Sequence, residues 1–187
     1  MRARDLLPFW LPLFASWLLM LAEGPILTAV LNRLPEAVVM LAALGIVYAL
    51  SVTIESPIIN LLATATALVR DRASYELMRR FTLHWVVLLT ALGALLAFTP
   101  VYGWVVLDLL GTPPEVARWV RPGLMIMVPW SGAIAWRRFL QGVLIRFGRP
   151  RHMAWGTAVR LLASGGGALV LAVTSDLPGI VLATSVL

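Results

Sequence analysis

Two glutamates, Glu23 and Glu55, stand inside long stretches of the sequence that are otherwise uncharged. A charged side chain within hydrocarbon costs about 2.5–3.5 kcal/mol on insertion scales, so a carboxylate there usually faces a cavity, pairs with a base or takes up a proton. A carboxylate that binds a cation in one state and releases it in another can couple transport to an ion gradient. We therefore predict that Glu23 is the coupling carboxylate of a transporter, with Glu55 as the second candidate.

Each glutamate also has a simpler interpretation. Glu23 lies about 26 Å along its helix from the first apolar residue, which would place it in the headgroup region at the outer membrane interface. Glu55 could mark the start of a cytoplasmic extension of its helix. Both interpretations stay open at the level of the sequence.

Three arginines lie within apolar stretches. The neighbours Arg137 and Arg138 either extend to the cytoplasmic surface or bind an anionic substrate or a lipid phosphate. Arg160 could pair with one of the glutamates, but the nearby Arg149 and Arg151 favour a position for it at the inner membrane interface.

Proline and glycine predict breaks in three apolar stretches. The stretch 37–69 has 33 residues, whereas about 20 residues of helix cross a bilayer, so we expect a break at Pro57, which lacks a backbone N–H. Pro129 lies near the centre of the stretch 120–145 and predicts a second break, and the glycines at 165–167 predict a third. Several breaks in one bundle are typical of a mobile transporter or a solvated cavity.

The composition places these residues in a membrane. Of the 187 residues, 60% are hydrophobic and 13% are charged, whereas soluble domains average about 45–50% and about 25%. The mean hydropathy is +0.90. These values exclude a disordered chain, a secreted miniprotein and a cytosolic enzyme.

The sequence predicts neither an enzyme nor a bound cofactor. It has no Cys and only two His, and it lacks a glycine-rich phosphate loop, an HExxH motif and a nucleophile elbow. The net charge of +6 comes from 15 basic residues, all of them arginine. Because no basic patch interleaves with exposed aromatic residues, we expect the lipid bilayer rather than nucleic acid as the partner.

The uncharged stretches predict an all-α, polytopic transmembrane helical bundle of about six spans. A helix rises 1.5 Å per residue and crosses a hydrocarbon core of about 30 Å in about 20 residues. The predicted spans are 6–32, 37–69, 81–107, 120–145, 153–174 and 177–187. The last has only 11 residues, so we expect it to be incomplete and the chain to be a fragment of a longer protein.

The arginines between the spans predict the orientation. Nine lie at the amino terminus and in the second and fourth connections, namely Arg2, Arg4, Arg70, Arg72, Arg79, Arg80, Arg146, Arg149 and Arg151. Three lie in the first and third connections, namely Arg33, Arg118 and Arg121. Because cytoplasmic loops carry the excess of basic residues, we expect a multi-pass protein of the cell membrane with a cytoplasmic amino terminus.

Two parts of the chain carry a family resemblance. The first reads RLPEA at 33–37 and LAALG at 41–45, and the second reads VRPG at 120–123, VP at 128–129, RFLQG at 138–142 and GRPR at 148–151. The first resembles the junction of helices one and two in the multidrug and toxic compound extrusion (MATE) transporters. The second resembles the fourth helix of that family and the basic loop after it. The resemblance covers most of the chain but only the N-terminal one of the two six-helix lobes of that family.

The resemblance implies a secondary active transporter. In that family two lobes form a V-shaped cavity and export a small organic substrate by alternating access, coupled to a sodium or proton gradient. This chain would work with a second lobe or a second copy. Drug exporters of the family usually carry an Asp where this sequence has Leu27, and Glu23, one turn earlier, would substitute for it.

Departures from the family pattern leave other functions open. A longer first junction and a longer end of the fourth helix favour the progressive-ankylosis-like branch or a lipid or polysaccharide flippase branch. A flippase for lipid-linked or anionic cargo would suit Arg137 and Arg138. A membrane scaffold that transports nothing is the alternative from a different class.

Overall fold

A computed structural model describes residues 3–175 and 177–186, and within these ranges the chain is helical with no strand. Arg2 of the orientation count and Leu187 of the sixth predicted span lie outside the described residues. The α-helices are α1 (Ala3–Leu31), α2 (Ala37–Glu55), α3 (Leu61–Leu68), α4 (Arg72–Phe98), α5 (Pro114–Met127), α6 (Trp130–Arg146), α7 (Pro150–Thr174) and α8 (Gly179–Val186). A 3₁₀ turn at Ser56–Ile58 and a π-helical segment at Gly103–Leu109 complete the described elements.

Four helical segments of the described chain are long and apolar enough to cross a membrane. They are Leu13–Leu31, Ala37–Leu68, Arg72–Phe98 and Arg151–Thr174. Many of their large apolar side chains point away from the rest of the protein, and Val173, for example, is 86% exposed. Such surfaces are stable in lipid and unfavourable in water. The chain therefore has the features of a membrane protein with several transmembrane helices.

The break predicted at Pro57 is confirmed. Helix α2 ends at Glu55, the 3₁₀ turn contains Pro57, and α3 begins at Leu61. Proline removes one backbone donor and its ring clashes with the preceding turn, so the helix cannot continue with regular hydrogen bonds.

The break predicted at Pro129 is confirmed as well. Helix α5 ends at Met127 and α6 begins at Trp130. The predicted span 120–145 is therefore two helices of 14 and 17 residues, and the first begins at Pro114, ahead of the predicted start.

The helix that holds most of the third predicted span, 81–107, has different bounds from that span. Helix α4 begins at Arg72, because the Asp71 carboxylate accepts a hydrogen bond from the Ser74 backbone N–H, at 2.8 Å, in a capping box. The same bond holds the pKa of Asp71 below its usual value. The helix ends at Phe98, just before Pro100, and the next residues form the separate π-helical segment. Hydropathy alone missed the charged first turns of this helix.

The break predicted at the glycines 165–167 is wrong. Helix α7 runs without interruption from Pro150 to Thr174. Glycine weakens a helix but keeps its backbone N–H, and in hydrocarbon no water is available to replace a lost backbone hydrogen bond. The glycine run therefore stays helical, whereas the α-helices end beside Pro57 and Pro129.

The helices pack in two sets. Helix α1 packs mainly against α7, and we call these two the α1–α7 pair. Helices α2 to α6 pack on one another, and we call them the α2–α6 group. Helix α8 contacts α2, α5 and α7, so it joins the two sets at one end.

The two broken spans, α2–α3 and α5–α6, run side by side in the same direction. Before the breaks, a Cβ atom built on Gly123 would lie 2.9 Å from the Val47 side chain. After the breaks, a Cβ atom on Gly142 would lie 2.5 Å from the Leu62 carbonyl oxygen. These close contacts flank both breaks, and Trp130, at the start of α6, lies beside Glu55, at the end of α2. The breaks therefore lie at nearly the same level of the bundle.

The buried hydrophobic residues of the α2–α6 group form two clusters on either side of this level. The first cluster includes Ala43, Val47 and Val120, and the second cluster includes Ala65, Leu89 and Phe139. Two partly buried residues, Ile54 and Trp130, pack against both clusters. They lie directly beside the breaks.

Candidate functional site

Glu23 and Arg160 form a buried ion pair between α1 and α7. Nη1 and Nη2 of Arg160 donate to the two carboxylate oxygens of Glu23, each at 2.8 Å. Ser164, one turn further along α7, donates from its hydroxyl to Glu23 Oε1 at 3.0 Å. The Glu23 residue is only 8% exposed. Both of its oxygens are thus occupied by groups of the protein.

The pairing follows from the register of two parallel helices. Ser16 and Thr157 share a hydrogen bond of 2.9 Å two turns before the ion pair. Ser16 and Glu23 are seven residues apart, as are Thr157 and Ser164, and residues at this spacing lie on one face of a helix. The α1–α7 pair therefore has a polar seam at its centre.

The structure narrows two interpretations of these residues. Of the alternatives for Arg160, the structure contains the pairing with a glutamate, because its guanidinium reaches Glu23. The Glu23 side chain is covered by the protein and is not exposed at its surface. Ser164 was missed at the level of the sequence, and the seven-residue spacing that separates it from Thr157 was the signal that could have found it.

Glu55 lies at the last residue of α2, where the helix breaks. It is 8% exposed, and its Oε1 is buried without a hydrogen-bond partner among the described residues. The side chain of Trp130, the first residue of α6, lies beside the carboxylate, and the charges of Arg137 and Arg138 act on it. The end of α2 and the start of α6 therefore lie side by side at this carboxylate.

Arg137 and Arg138 face the neighbouring helices. The charge of Arg137 interacts with those of Glu23, Glu55 and Arg160, and its Nε is buried without a partner among the described residues. The guanidinium of Arg138 lies over the ring of Trp17 on α1, 5.9 Å from the centroid. The sequence did not predict this aromatic partner, because Trp17 is far from Arg138 along the chain.

These residues form one site, which we call the polar cluster: Glu23, Glu55, Arg137, Arg138 and Arg160. It lies where the α1–α7 pair meets the α2–α6 group. Its two carboxylates and three guanidinium groups give it a formal charge of +1. Pro129, the remaining predicted site residue, directly precedes Trp130, whose side chain lies beside Glu55.

No protein-family model, curated protein or solved structure matches this chain.

The polar cluster has unsatisfied hydrogen-bonding groups. Glu55 Oε1 can accept, and Nε of Arg137 and Nε of Arg160 can donate, yet none of these buried atoms has a partner among the described residues. A buried polar group without a partner costs about 1–3 kcal/mol. The cluster is therefore suited to take up a water molecule, an ion or a polar part of a ligand.

A metal site of the usual kind does not occur among the described residues. No group of three or more His, Asp or Glu side chains lies together there. The two carboxylates of the polar cluster are each surrounded by arginine, which disfavours a divalent cation.

Proposed function

We propose that this chain is a lobe of a secondary active transporter, as its resemblance to the MATE family implies. It would export a small organic substrate by alternating access, coupled to a sodium or proton gradient. The observation that carries the proposal is the polar cluster, in which two buried carboxylates and three half-buried guanidinium groups lie between two sets of helices. Ionisable residues at such depth are expensive, and they are typical of ion and substrate pathways.

The helix breaks support a movement inside the α2–α6 group. The spans α2–α3 and α5–α6 both break next to Glu55. Hinges in transporters are short segments that absorb changes in backbone angles, and broken helices at a central binding site are common among them. In the proposed cycle the parts of the α2–α6 group before and after the breaks move relative to each other and to the α1–α7 pair, and the polar cluster is exposed to each side in turn.

Within this proposal Glu55 becomes the first candidate for coupling, ahead of Glu23. Both oxygens of Glu23 are held by Arg160, and Ser164 adds a third hydrogen bond. Glu55 has an oxygen without a partner among the described residues. A group that binds and releases a cation must be free to exchange partners, and Glu55 meets this condition better.

Glu55→Gln tests the coupling role, because it keeps the shape and removes the charge. We expect the variant in reconstituted vesicles to lose the response of uptake to imposed sodium and proton gradients. Fluorescent ethidium and radiolabelled citrate would serve as cationic and anionic probes. Glu36→Gln is the matched control, because Glu36 is exposed and pairs with Arg118 at the surface.

A full gradient response in Glu55→Gln would contradict the coupling role. Gradient-driven uptake of either probe by the wild-type chain, reconstituted with its second lobe or second copy, supports transport. Uptake of neither probe would favour a scaffold over a transporter.

A flippase or carrier for anionic cargo is the second candidate. Arg137 and Arg138 lie together on α6, and the cluster has more guanidinium groups than carboxylates. Arginine binds carboxylates and phosphates through paired hydrogen bonds. Uptake of citrate but not of ethidium would favour this candidate over the export of organic cations.

We further propose six crossings with a cytoplasmic amino terminus, in the cell membrane. Two crossings are added to the four candidate segments. Helices α5 and α6 together form one broken crossing, and α8 begins the other. Because the broken α5–α6 span packs parallel to α2–α3, both would run from the outside inwards.

Cysteine labelling tests this topology. The native chain has no Cys, so single cysteines can be placed at Arg72, before α4, and at Glu115, at the start of α5. Both residues are exposed. In intact cells an impermeant thiol reagent should label the cysteine at 115 and should reach the one at 72 only after permeabilisation. The reverse pattern would overturn the orientation.

A further inference from the structure

An apolar slot lies between α1 and α7 near the start of α7. It has a volume of about 330 Å³ and is lined by Leu19, Ala154, Trp155 and Ala158, with Arg151 at one end. We call it the inner slot. Arg151 is exposed and belongs to the first turn of α7, so the charged end of the slot lies at the end of the helix pair.

A second slot lies between the other ends of the same two helices. It has a volume of about 400 Å³, and Arg33, in the connection after α1, lies at its end. We call it the outer slot. Its apolar lining includes Ile26, Ala29, Val30, Leu169, Ala172 and Val173.

Both slots open on the same flank of the α1–α7 pair. Arg151 and Leu169 are 18 residues apart, which corresponds to five helical turns and returns to the same face. On this flank Trp155 is 73% exposed and Leu169 is 54% exposed. No other part of the described chain covers this apolar flank, and in a membrane it contacts lipid.

We propose that each slot binds one acyl chain of a phospholipid, one from each leaflet, with the headgroup phosphate on Arg151 in the inner slot and on Arg33 in the outer slot. The occupant is inferred from the match in chemistry along each slot. The apolar walls suit a hydrocarbon chain, and a guanidinium at the membrane-surface end suits a phosphate. Trp155, beside Arg151, is a residue type that favours the membrane interface.

The two lipids would stabilise the contact between α1 and α7. Ile26 and Val30 of the outer slot follow Glu23 by one and two turns. An acyl chain there fills space beside the ion pair and keeps α1 against α7. This role does not depend on transport, and it would hold for a scaffold as well.

Native mass spectrometry of the protein, released from bilayers of phosphatidylglycerol and phosphatidylcholine, tests the slots. The wild-type chain should retain two phospholipids. Ala172→Phe should fill the outer slot and Ala158→Phe the inner slot, and each should remove one bound lipid. Leu162→Phe is the matched control, because Leu162 is 75% exposed on α7 and lines neither slot.

The arginines test the headgroup contacts without changing the packing of the slots. Arg33→Gln and Arg151→Gln should each weaken retention of one phospholipid about tenfold, as expected for loss of a charge-assisted hydrogen bond. Arg80→Gln, an exposed arginine on α4 that lines neither slot, should retain both.

Any one of three results would overturn the proposal. The first is that the wild-type chain retains no phospholipid, and the second is that the control variants lose as much lipid as the slot variants. The third is that free glycerol phosphate displaces the bound lipid as well as phosphatidylglycerol does. The last result would show an anion site that does not use the acyl chain.

Discussion

Replacing Arg160 with glutamine is expected to destabilise the protein by about 3–5 kcal/mol. The substitution removes both donors that hold the Glu23 carboxylate at 2.8 Å. Glu23 then keeps one hydrogen bond from Ser164 and carries a buried, uncompensated charge. Breaking a buried pair costs more than deleting it, because the remaining charge has lost both water and its partner.

The double variant Glu23→Gln/Arg160→Gln should recover much of this loss, because it leaves no unpaired charge. Unfolding by denaturant in mixed micelles would provide the free energies for the double-mutant cycle. Arg79→Gln is the control, since Arg79 and Glu76 form an exposed pair and such pairs contribute about 0–1 kcal/mol. A loss in Arg160→Gln no larger than in this control would show that the buried pair is not what joins the helices.

Gly142→Ala is expected to destabilise the protein. Overpacking of a protein interior costs about 1–3 kcal/mol, and we expect a loss at the upper end of that range. The added Cβ would lie 2.5 Å from the Leu62 carbonyl oxygen and 2.7 Å from the Ala65 Cβ atom. Neither atom belongs to a flexible side chain, so α3 and α6 must separate. Separation also strains the hydrogen bond of 3.2 Å that the Thr66 hydroxyl donates to the Gly142 carbonyl oxygen.

Gly156→Ala provides the matched control for this substitution. Gly156 lies inside α7, and no atom lies within 4 Å of a Cβ built there. Alanine favours a helix over glycine by up to about 1 kcal/mol, so this variant should be as stable as the wild type or more so. If Gly142→Ala unfolds at the same denaturant concentration as Gly156→Ala, the close approach of α3 and α6 contributes little to stability.

The sequence predicted the helical class and the positions of the two proline breaks. Both depend on local properties, namely apolar length and the missing N–H of Pro57 and Pro129. Local rules failed for the glycines at 165–167, because the cost of a broken hydrogen bond in hydrocarbon exceeds the flexibility that glycine provides. They also misplaced the start of α4, because its first turns are charged and are held by the Asp71 cap.

The charged residues of the polar cluster were selected from the sequence, but the pairing between them was not predicted. Glu23, Glu55, Arg137 and Arg138 were all selected as charges in apolar stretches, and the structure brings them together. That Arg160 belongs with Glu23 could not be derived, because the two are 137 residues apart and meet only through the register of α1 on α7. Long-range packing, unlike helix formation, depends on which faces the whole bundle must bury.

The shared level of the two breaks divides the interior of the α2–α6 group into two stacked cores. Among the described residues only Ile54 and Trp130 pack against both clusters, so these two side chains connect the two cores. A fluctuation that loosens the packing around Val47 and Val120 need not disturb the packing around Phe139. In the proposed transport cycle the α2–α6 group therefore opens at one membrane surface while it stays closed at the other, and Glu55 lies between the two parts that move.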